Sequence, residues 1–262
     1  MNGQLDFSGM SPVDRAISRL REYEPDDGYF LAFSGGKDSV VVYALARAAG
    51  VAFDAHYHVT TVDPPELVHF IRREYPGVIF EHPEMTMWQL IVKKRYPPTR
   101  IARYCCEYLK ERGGEGRWVV TGVRWAESAN RRRRRAALEM SCTYGSVGKR
   151  LGIVNPVIDW TDADVWGYIH ANSLPYCSLY DEGFARLGCV MCPMKGSEGM
   201  RRDALRWPKI AEAYRRACRK SLNKAIDDGL DRPNWRRDSD DMYDWWLTPK
   251  IEPNDDAQGV LL

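Results

Sequence analysis

YFLAFSGGKDS, residues 29 to 39, decides the fold. Tyr29 to Ser34 form a short apolar run that reads as a buried strand, and a helical pattern follows from about Asp38 to Ala49. Two glycines lie between them. Glycine lets the backbone come close to a phosphate, the amides at a helix start point toward it, and Lys37 adds a cation. Ser34, Gly35, Gly36, Lys37, Asp38 and Ser39 are therefore read as a phosphate cradle, the bland alternative being a Gly-Gly turn with a purely structural task. The spacing G-x-x-x-x-G-K-[ST] of the Walker A loop is absent.

The alternation continues on both sides of this stretch. Ser11-Pro12 supplies an N-cap with proline at the first helical position, opening a helix through Ala16, Leu20 and Tyr23. A strand around AFDAHYHV, a helix opened by Asp63-Pro64, and a strand at VIFEH follow. Helices over about 87–95 and 100–112, the strand WVVTGV and a helix capped by Thr161 come next. Such alternation predicts an α/β fold, a doubly wound parallel sheet with flanking helices. WPKIAEAYRRACRKSLNKAIDDGL and SDDMYDWWLTPK read as helices without strands. The expectation is a main domain over 1–195 and a helical C-terminal extension over 196–262. Ligands of such sheets bind beyond the carboxyl ends of the strands, where the loops after Phe33, Val59 and Val120 gather.

With 44% apolar and 28% charged residues in 262, the composition is that of an ordinary globular chain, and no apolar run approaches a membrane span. MNGQLDFSGMSPVDRA has neither the basic start nor the apolar core of a secretory signal, so a cytoplasmic protein is expected, its seven cysteines thiols or metal ligands. The formal net charge of +2 conceals an asymmetry, since residues 93–150 carry 16 Lys and Arg against 5 Glu and no Asp. That excess suggests a polyanionic partner such as a nucleic acid, contacted through its phosphates. A solvated basic face is the alternative, above all for Arg131 to Arg135.

Cys105 and Cys106 are adjacent, and Cys189-Val-Met-Cys192 follows 83 residues after the second. A C-x-x-C turn presents two thiolates to one metal, and the adjacent pair would complete a four-cysteine site. Neighbouring cysteines make a cramped bite on one tetrahedral ion, whereas a cubane spreads its iron corners. Iron–sulfur is thus the first reading, with zinc and reduced core cysteines as alternatives. Cys218 lies in a helical pattern and reads as core. Cys142 and Cys177 are candidate reactive thiols, Cys142 because its surroundings are basic.

Several stretches carry a family resemblance. SGGKDS resembles the loop of the ATP pyrophosphatases, which cleave ATP between the α and β phosphates and adenylate a substrate. HVTTVDPPELVHFI, TGVRWAESANR and LPYCSLYDEGFARLGCVMCPM resemble, in that order, the adenylyl-sulfate and phosphoadenylyl-sulfate (PAPS) reductase superfamily. That superfamily shares the adenine nucleotide alpha hydrolase-like fold and includes the sulfurtransferase component of DNA phosphorothioation systems. The resemblance implies that Thr60, Thr61 and Asp63 line an adenine-nucleotide pocket. It places Arg124, Glu127 and Arg131, in the loop that also holds Gly122, at the anionic end. Cluster-bearing adenylyl-sulfate reductases carry a tandem cysteine pair and a later C-x-x-C, so the resemblance assigns Cys105, Cys106, Cys189 and Cys192 to a [4Fe–4S] cluster.

Two features depart from the reductase pattern. The reductases attack sulfate sulfur with a cysteine in a C-terminal Glu-Cys-Gly-Leu/Ile-His motif, whereas here EPNDDAQGVLL ends the sequence and no cysteine follows Cys218. Their phosphate loops tend to be degenerate, whereas SGGKDS is intact. The expectation is ATP-dependent activation for sulfur transfer, with the β and γ phosphates on the loop and Lys37, and with Mg²⁺ assisted by Asp38. Sulfur would come from a partner cysteine desulfurase, from Cys142 or Cys177, or from an open cluster corner. Two alternatives stand beside it: adenylyl sulfate or PAPS reduction to sulfite, and a non-catalytic nucleotide- or nucleic-acid-binding module. The oligomeric state is open, a homo-oligomer included.

Overall fold

The computed structural model describes residues 9–140, 150–229 and 239–247, so Cys142 lies outside the described residues. In chain order the elements begin with α1 (Pro12–Glu22), β1 (Tyr29–Ala32), α2 (Lys37–Ala49), β2 (Phe53–His58), α3 (Pro65–Glu74) and β3 (Ile79–Glu81). Next come α4 (Met87–Lys94), α5 (Tyr104–Leu109), β4 (Trp118–Val120), α6 (Ala129–Arg134), β5 (Leu138–Met140) and β6 (Gly152–Val154). The last are α7 (Asp162–Ala171), α8 (Gly196–Arg206), α9 (Pro208–Asp227) and α10 (Ser239–Leu247). They form two compact units, one of Met1–Pro83 and Cys106–Gly188, the other of Glu84–Cys105 and Cys189–Leu262.

The first unit is the α/β part. Its strands lie in the order β3-β2-β1-β4-β6-β5. Winding proceeds outward from β1 to β2 and β3, then restarts on the other side of β1 at β4. The loops after β1 and β4 therefore leave adjacent parallel strands at a topological switch point, where ligands of such sheets bind. Leu31 of β1, Val40, Val41 and Leu45 of α2, Ile71 of α3, Val120 and Val154 are fully buried. Each contributes about 1.5–3 kcal/mol by leaving water. Local chemistry marks the helix starts: Ser11 accepts the Asp14 N–H at 3.1 Å, and Thr161 and Asp164 form a capping box.

The expected doubly wound α/β sheet is present, with one antiparallel edge where β5 pairs with β6, and two other expectations need correction. Asn155 secures that return, its amide donating to Ala136 O at 2.7 Å and to Glu139 Oε1 at 2.8 Å. The helix expected over 100–112 is confined to α5. Thr99 Oγ1 takes the Ala102 N–H at 3.0 Å in a preceding turn, and Gly113 and Gly114 leave helical space at positive φ. Lastly, the helical unit is larger than 196–262, since Glu84–Cys105 and Cys189–Lys195 belong to it.

A polar cluster braces the sheet at β2. Arg117 grips Asp54 with both terminal nitrogens, at 2.8 and 2.5 Å, while His56 lies between Asp54 and Glu81 and stacks on Phe30 at 4.1 Å. The hydrogen bond from Arg117 outweighs partial burial and, with His56, lowers the Asp54 pKa to about 2. A carboxylate depressed in the folded state stabilises it above the unfolded pKa and loses that contribution as pH falls through the folded one. Asp54→Asn is therefore expected to be less stable than wild type near neutrality, the gap closing as pH falls from about 4 to about 2. Urea unfolding at successive pH values checks this; a gap that stays constant down to the lowest pH would contradict it.

The second unit is helical. The Thr86–Gln89 capping box starts α4, whose Met87, Leu90 and Ile91 are buried, and α4 packs on α9. Tyr214, Ala217, Cys218, Leu222 and Ala225 form the buried stripe of α9, covered also by Met242, Tyr243 and Trp246 of α10. Trp246 Nε1 donates to Pro98 O at 2.6 Å. Burial pushes the Cys218 thiol up to about 12, so this cysteine is an inert core residue. Among the described residues no helix is long and apolar enough to cross a membrane.

Candidate functional site

The loop between β1 and α2 is built by close approach. Gly35 has φ 71°, and a Cβ there would sit 2.7 Å from both Ile71 Cδ1 and Leu67 Cδ1 of α3. Only glycine fits that turn and that contact. Ser39 Oγ accepts the Ser34 N–H at 3.2 Å and donates to Gly36 O at 2.9 Å, closing the loop on itself. Helix α2 then begins at Gly36, which offers no side chain to cap its amides. The Lys37 amide donates to the Tyr180 hydroxyl at 2.8 Å.

The loop after β4 meets it at the switch point. Gly122 lies so near that a Cβ would be 3.0 Å from the Asp38 carbonyl carbon. Arg124, only 1% exposed, donates from Nε to Asp38 Oδ1 at 2.6 Å, from Nη2 to Asp162 Oδ1 at 2.7 Å and from Nη1 to Trp160 O at 3.1 Å. Lys37 Nζ lies 3.4 Å from Asp38 Oδ2 and 3.3 Å from Asp162 Oδ1. Burial opposes ionisation of Asp162, but Arg124 and Lys37 outweigh it and lower its pKa. The result is a four-charge lattice of Lys37, Asp38, Arg124 and Asp162 beneath the loop. Asp38 has its two oxygens turned to cations, which does not fit the task of a Mg²⁺ ligand in this arrangement.

Glu127 forms a second cluster. Its carboxylate pairs with Arg131 and, at 2.7 Å, with Arg186, while Oε2 accepts the Arg124 N–H at 3.1 Å. Burial first, and then the neighbouring Arg186 and Arg135, lower the Arg131 pKa. The arginine run thus divides. Arg131 and Arg135 are half-buried and paired with Glu127 and Glu139, whereas Arg132, Arg133 and Arg134 are exposed.

At the carboxyl ends of β1 and β2 a cleft of about 150 Å³ is lined by Ser34, His56, His58, Asp63, Leu67 and Lys110, among others. Burial lowers the His58 pKa, keeping the ring neutral. Asp63 shapes the rim by accepting the Thr60 N–H and the Thr60 hydroxyl, both at 2.7 Å, and Thr61 takes a left-handed φ of 64°. Asp63 therefore closes the turn before α3 instead of capping the helix. Cys177 is fully buried, and burial raises its thiol pKa, opposite to what a sulfur carrier needs at neutral pH.

The other described cysteines fall in two short stretches of the chain. Cys105 and Cys106 occupy consecutive positions of α5, and Cys189 and Cys192 bracket one turn before α8. In the second unit Cys105, Cys189 and Cys192 all act on the phenol of Tyr214, which burial first and these thiols next raise well above its ordinary pKa. No disulfide joins the six described cysteines. Among the described residues no group of three or more His, Cys, Asp or Glu side chains converges on a single metal-ion position. Cysteine thiols are the soft donors that iron–sulfur clusters and zinc take.

Sequence reading placed Lys37, Asp38 and Arg124 in one neighbourhood and the structure brings them together, but Asp162, Tyr180 and Arg186 went unseen. Asp162 was hidden inside a helix-capping signal, while Tyr180 and Arg186 sit in an irregular segment with no period to read.

The family of the phosphoadenosine phosphosulfate reductase domain matches residues 28–195. The chain belongs to this family. Over 207 residues the phosphoadenosine phosphosulfate reductase-family chain is 29% identical to an uncharacterised protein of Methanocaldococcus jannaschii, covering 74% of this chain and 42% of that one. Over 120 residues it is 36% identical to the adenosine 5′-phosphosulfate reductase of Neisseria meningitidis serogroup B, covering 43% of this chain and 45% of the relative. The chain thus spans less than half the length of these curated relatives. Phosphoadenylyl-sulfate reductase from Candida auris, solved as a phosphate complex, superposes with a TM-score of 0.50 at 16% identity, covering 70% of this chain and 89% of that one. This likeness shows the fold, which is that of the adenine nucleotide alpha hydrolases.

Proposed function

We propose that this family member is an enzyme that binds ATP on the β1–α2 loop, cleaves it between the α and β phosphates, and so activates an acceptor oxygen for sulfur transfer. The observation that carries the reading is the start of α2, whose N-cap Gly36 supplies no side chain and whose Lys37 amide rests on the Tyr180 hydroxyl, beside the lattice of Lys37, Asp38, Arg124 and Asp162. Amides at a helix start, backed by a braced lysine, suit the β and γ phosphates and the charge that develops as pyrophosphate leaves. The neutral His58 and apolar Leu67 of the adjacent cleft suit a purine, and the Glu127-held Arg131 and Arg186 suit the far anionic end. The acceptor would be a nucleic acid reached through the basic segment 93–150, with a cysteine desulfurase as sulfur donor.

Cys105, Cys106, Cys189 and Cys192 would hold a [4Fe–4S] cluster, which supplies one-electron chemistry or a structural tie when bound. The likeness to adenosine 5′-phosphosulfate reductases favours a second reading, release of sulfite from adenylyl sulfate or PAPS by a thiol. One experiment separates the two. Protein purified without air is offered ATP, adenylyl sulfate and PAPS in parallel, with and without duplex DNA, while pyrophosphate and sulfite are measured. Pyrophosphate from ATP is the expected result; sulfite from either sulfonucleotide, with ATP untouched, would replace the first reading by the second.

A further inference from the structure

The two residues between Cys189 and Cys192 are held in an unusual way. A surface C-x-x-C turn leaves its backbone to water, but Val190 and Met191 are fully buried. Side chains take the place of water. The Met191 N–H donates to Asp203 Oδ2 of α8 at 2.7 Å, and the Tyr214 hydroxyl of α9 donates to Val190 O at 3.3 Å. Asp203 is wholly buried and Tyr214 is 1% exposed.

Met191 has φ 55°, a left-handed conformation that long side chains rarely adopt and that costs on the order of 1 kcal/mol or more. A charge-assisted bond to a carboxylate is strong enough to hold it there. Lys195 supplies the opposite charge, 2.5 Å from the same Oδ2. Asp203 Oδ1, however, has no hydrogen-bond partner, and an unsatisfied buried carboxylate oxygen is costly. An apolar residue would fill this face of α8 at lower cost, so packing alone does not account for Asp203. Holding the turn does.

We propose that Asp203 and Tyr214 form a buried socket that presets the Cys189–Cys192 turn as a dithiol grip for a thiophilic centre. Both are positioning residues, acting through the backbone between the cysteines. The identity of the centre rests on the cluster reading above; the preset dithiol does not. The socket consists of protein groups alone, so a metal-free probe can read it.

Phenylarsine oxide is that probe. Its arsenic forms two As–S bonds while both thiol protons leave with the oxide oxygen as water, and arsenic stays trivalent. Reduced, metal-free full-length protein is mixed with the reagent, and mass mapping follows capture on the peptide that holds Cys189 and Cys192. Iodoacetamide labelling of the buried Cys218 reports in parallel whether the core is folded. Asp203→Ala and Tyr214→Phe are expected to slow capture by ~10-fold or more, the scale on which lost outer-shell partners weaken metal sites. Asp203→Asn, which keeps an oxygen for the Met191 N–H, is expected to restore part of the rate.

Capture at the wild-type rate in Tyr214→Phe and Asp203→Ala, with Cys218 still protected, would overturn the socket. Where Asp203→Ala exposes Cys218, Tyr214→Phe, which loses one hydroxyl, decides alone. Reconstitution of the same proteins with ferrous iron and sulfide tests the other claim. Wild-type protein that takes up no iron would refute the cluster, while the capture rates would still judge the socket.

Discussion

Lys37→Ala is expected to lower nucleotide turnover by about 10²–10³-fold, the usual cost of removing one preorganised group from the charge that develops in a transition state. The stability change should stay within about 1 kcal/mol. Lys37 is 5% exposed, and a buried lysine would ordinarily be a structural group as well. Here Asp38 and Asp162 keep Arg124 as a partner when the ammonium is gone, at 2.6 and 2.7 Å, so no carboxylate is left uncompensated. Turnover of whichever nucleotide proves active, measured beside urea unfolding, checks the prediction. Near-normal turnover would remove Lys37 from the phosphate site, and a collapse in stability would make it a core brace.

Arg124→Met is expected to differ in stability, losing about 3 kcal/mol together with turnover. Removing one partner from a buried ion pair leaves the other charge poorly compensated, which typically costs about 3–5 kcal/mol. The low end applies because Asp162 is mostly exposed and Lys37 remains nearby. Methionine fills the volume of the lost side chain, so the change reports chiefly on charge and hydrogen bonds. The double variant Arg124→Met, Asp38→Asn should cost less than the sum of the single changes, since both act on one lattice. Urea midpoints of the three proteins measure that coupling; strict additivity would mean that Arg124 and Asp38 do not act as a unit.

These two residues show how far the sequence reaches. The strand before SGGKDS, the helix after it and the caps at Ser11 and Thr161 were legible because they depend on neighbours a few positions away. Arg124 was legible as a residue just after a strand, and so as a site candidate. Its contact with Asp38, 86 residues distant, was not. That contact exists because β4 lies beside β1, and strand order leaves no periodic trace in either segment.

The same division runs through the missed elements. β5 and β6 are three residues each, too short to alternate visibly, and their antiparallel pairing rests on Asn155 reaching back to Ala136. The C-x-x-C spacing was legible, but nothing near Cys189 indicated that a carboxylate from α8 and a phenol from α9 would hold its turn. By itself, the sequence of this chain determined the α/β alternation, the glycine loop and the cysteine set, all products of short-range sterics and capping. Only the tertiary structure decided which charges face one another under that loop and which side chains replace water at the cysteine turn. Those pairings are settled by strand order and helix packing, which act between residues that the chain keeps far apart.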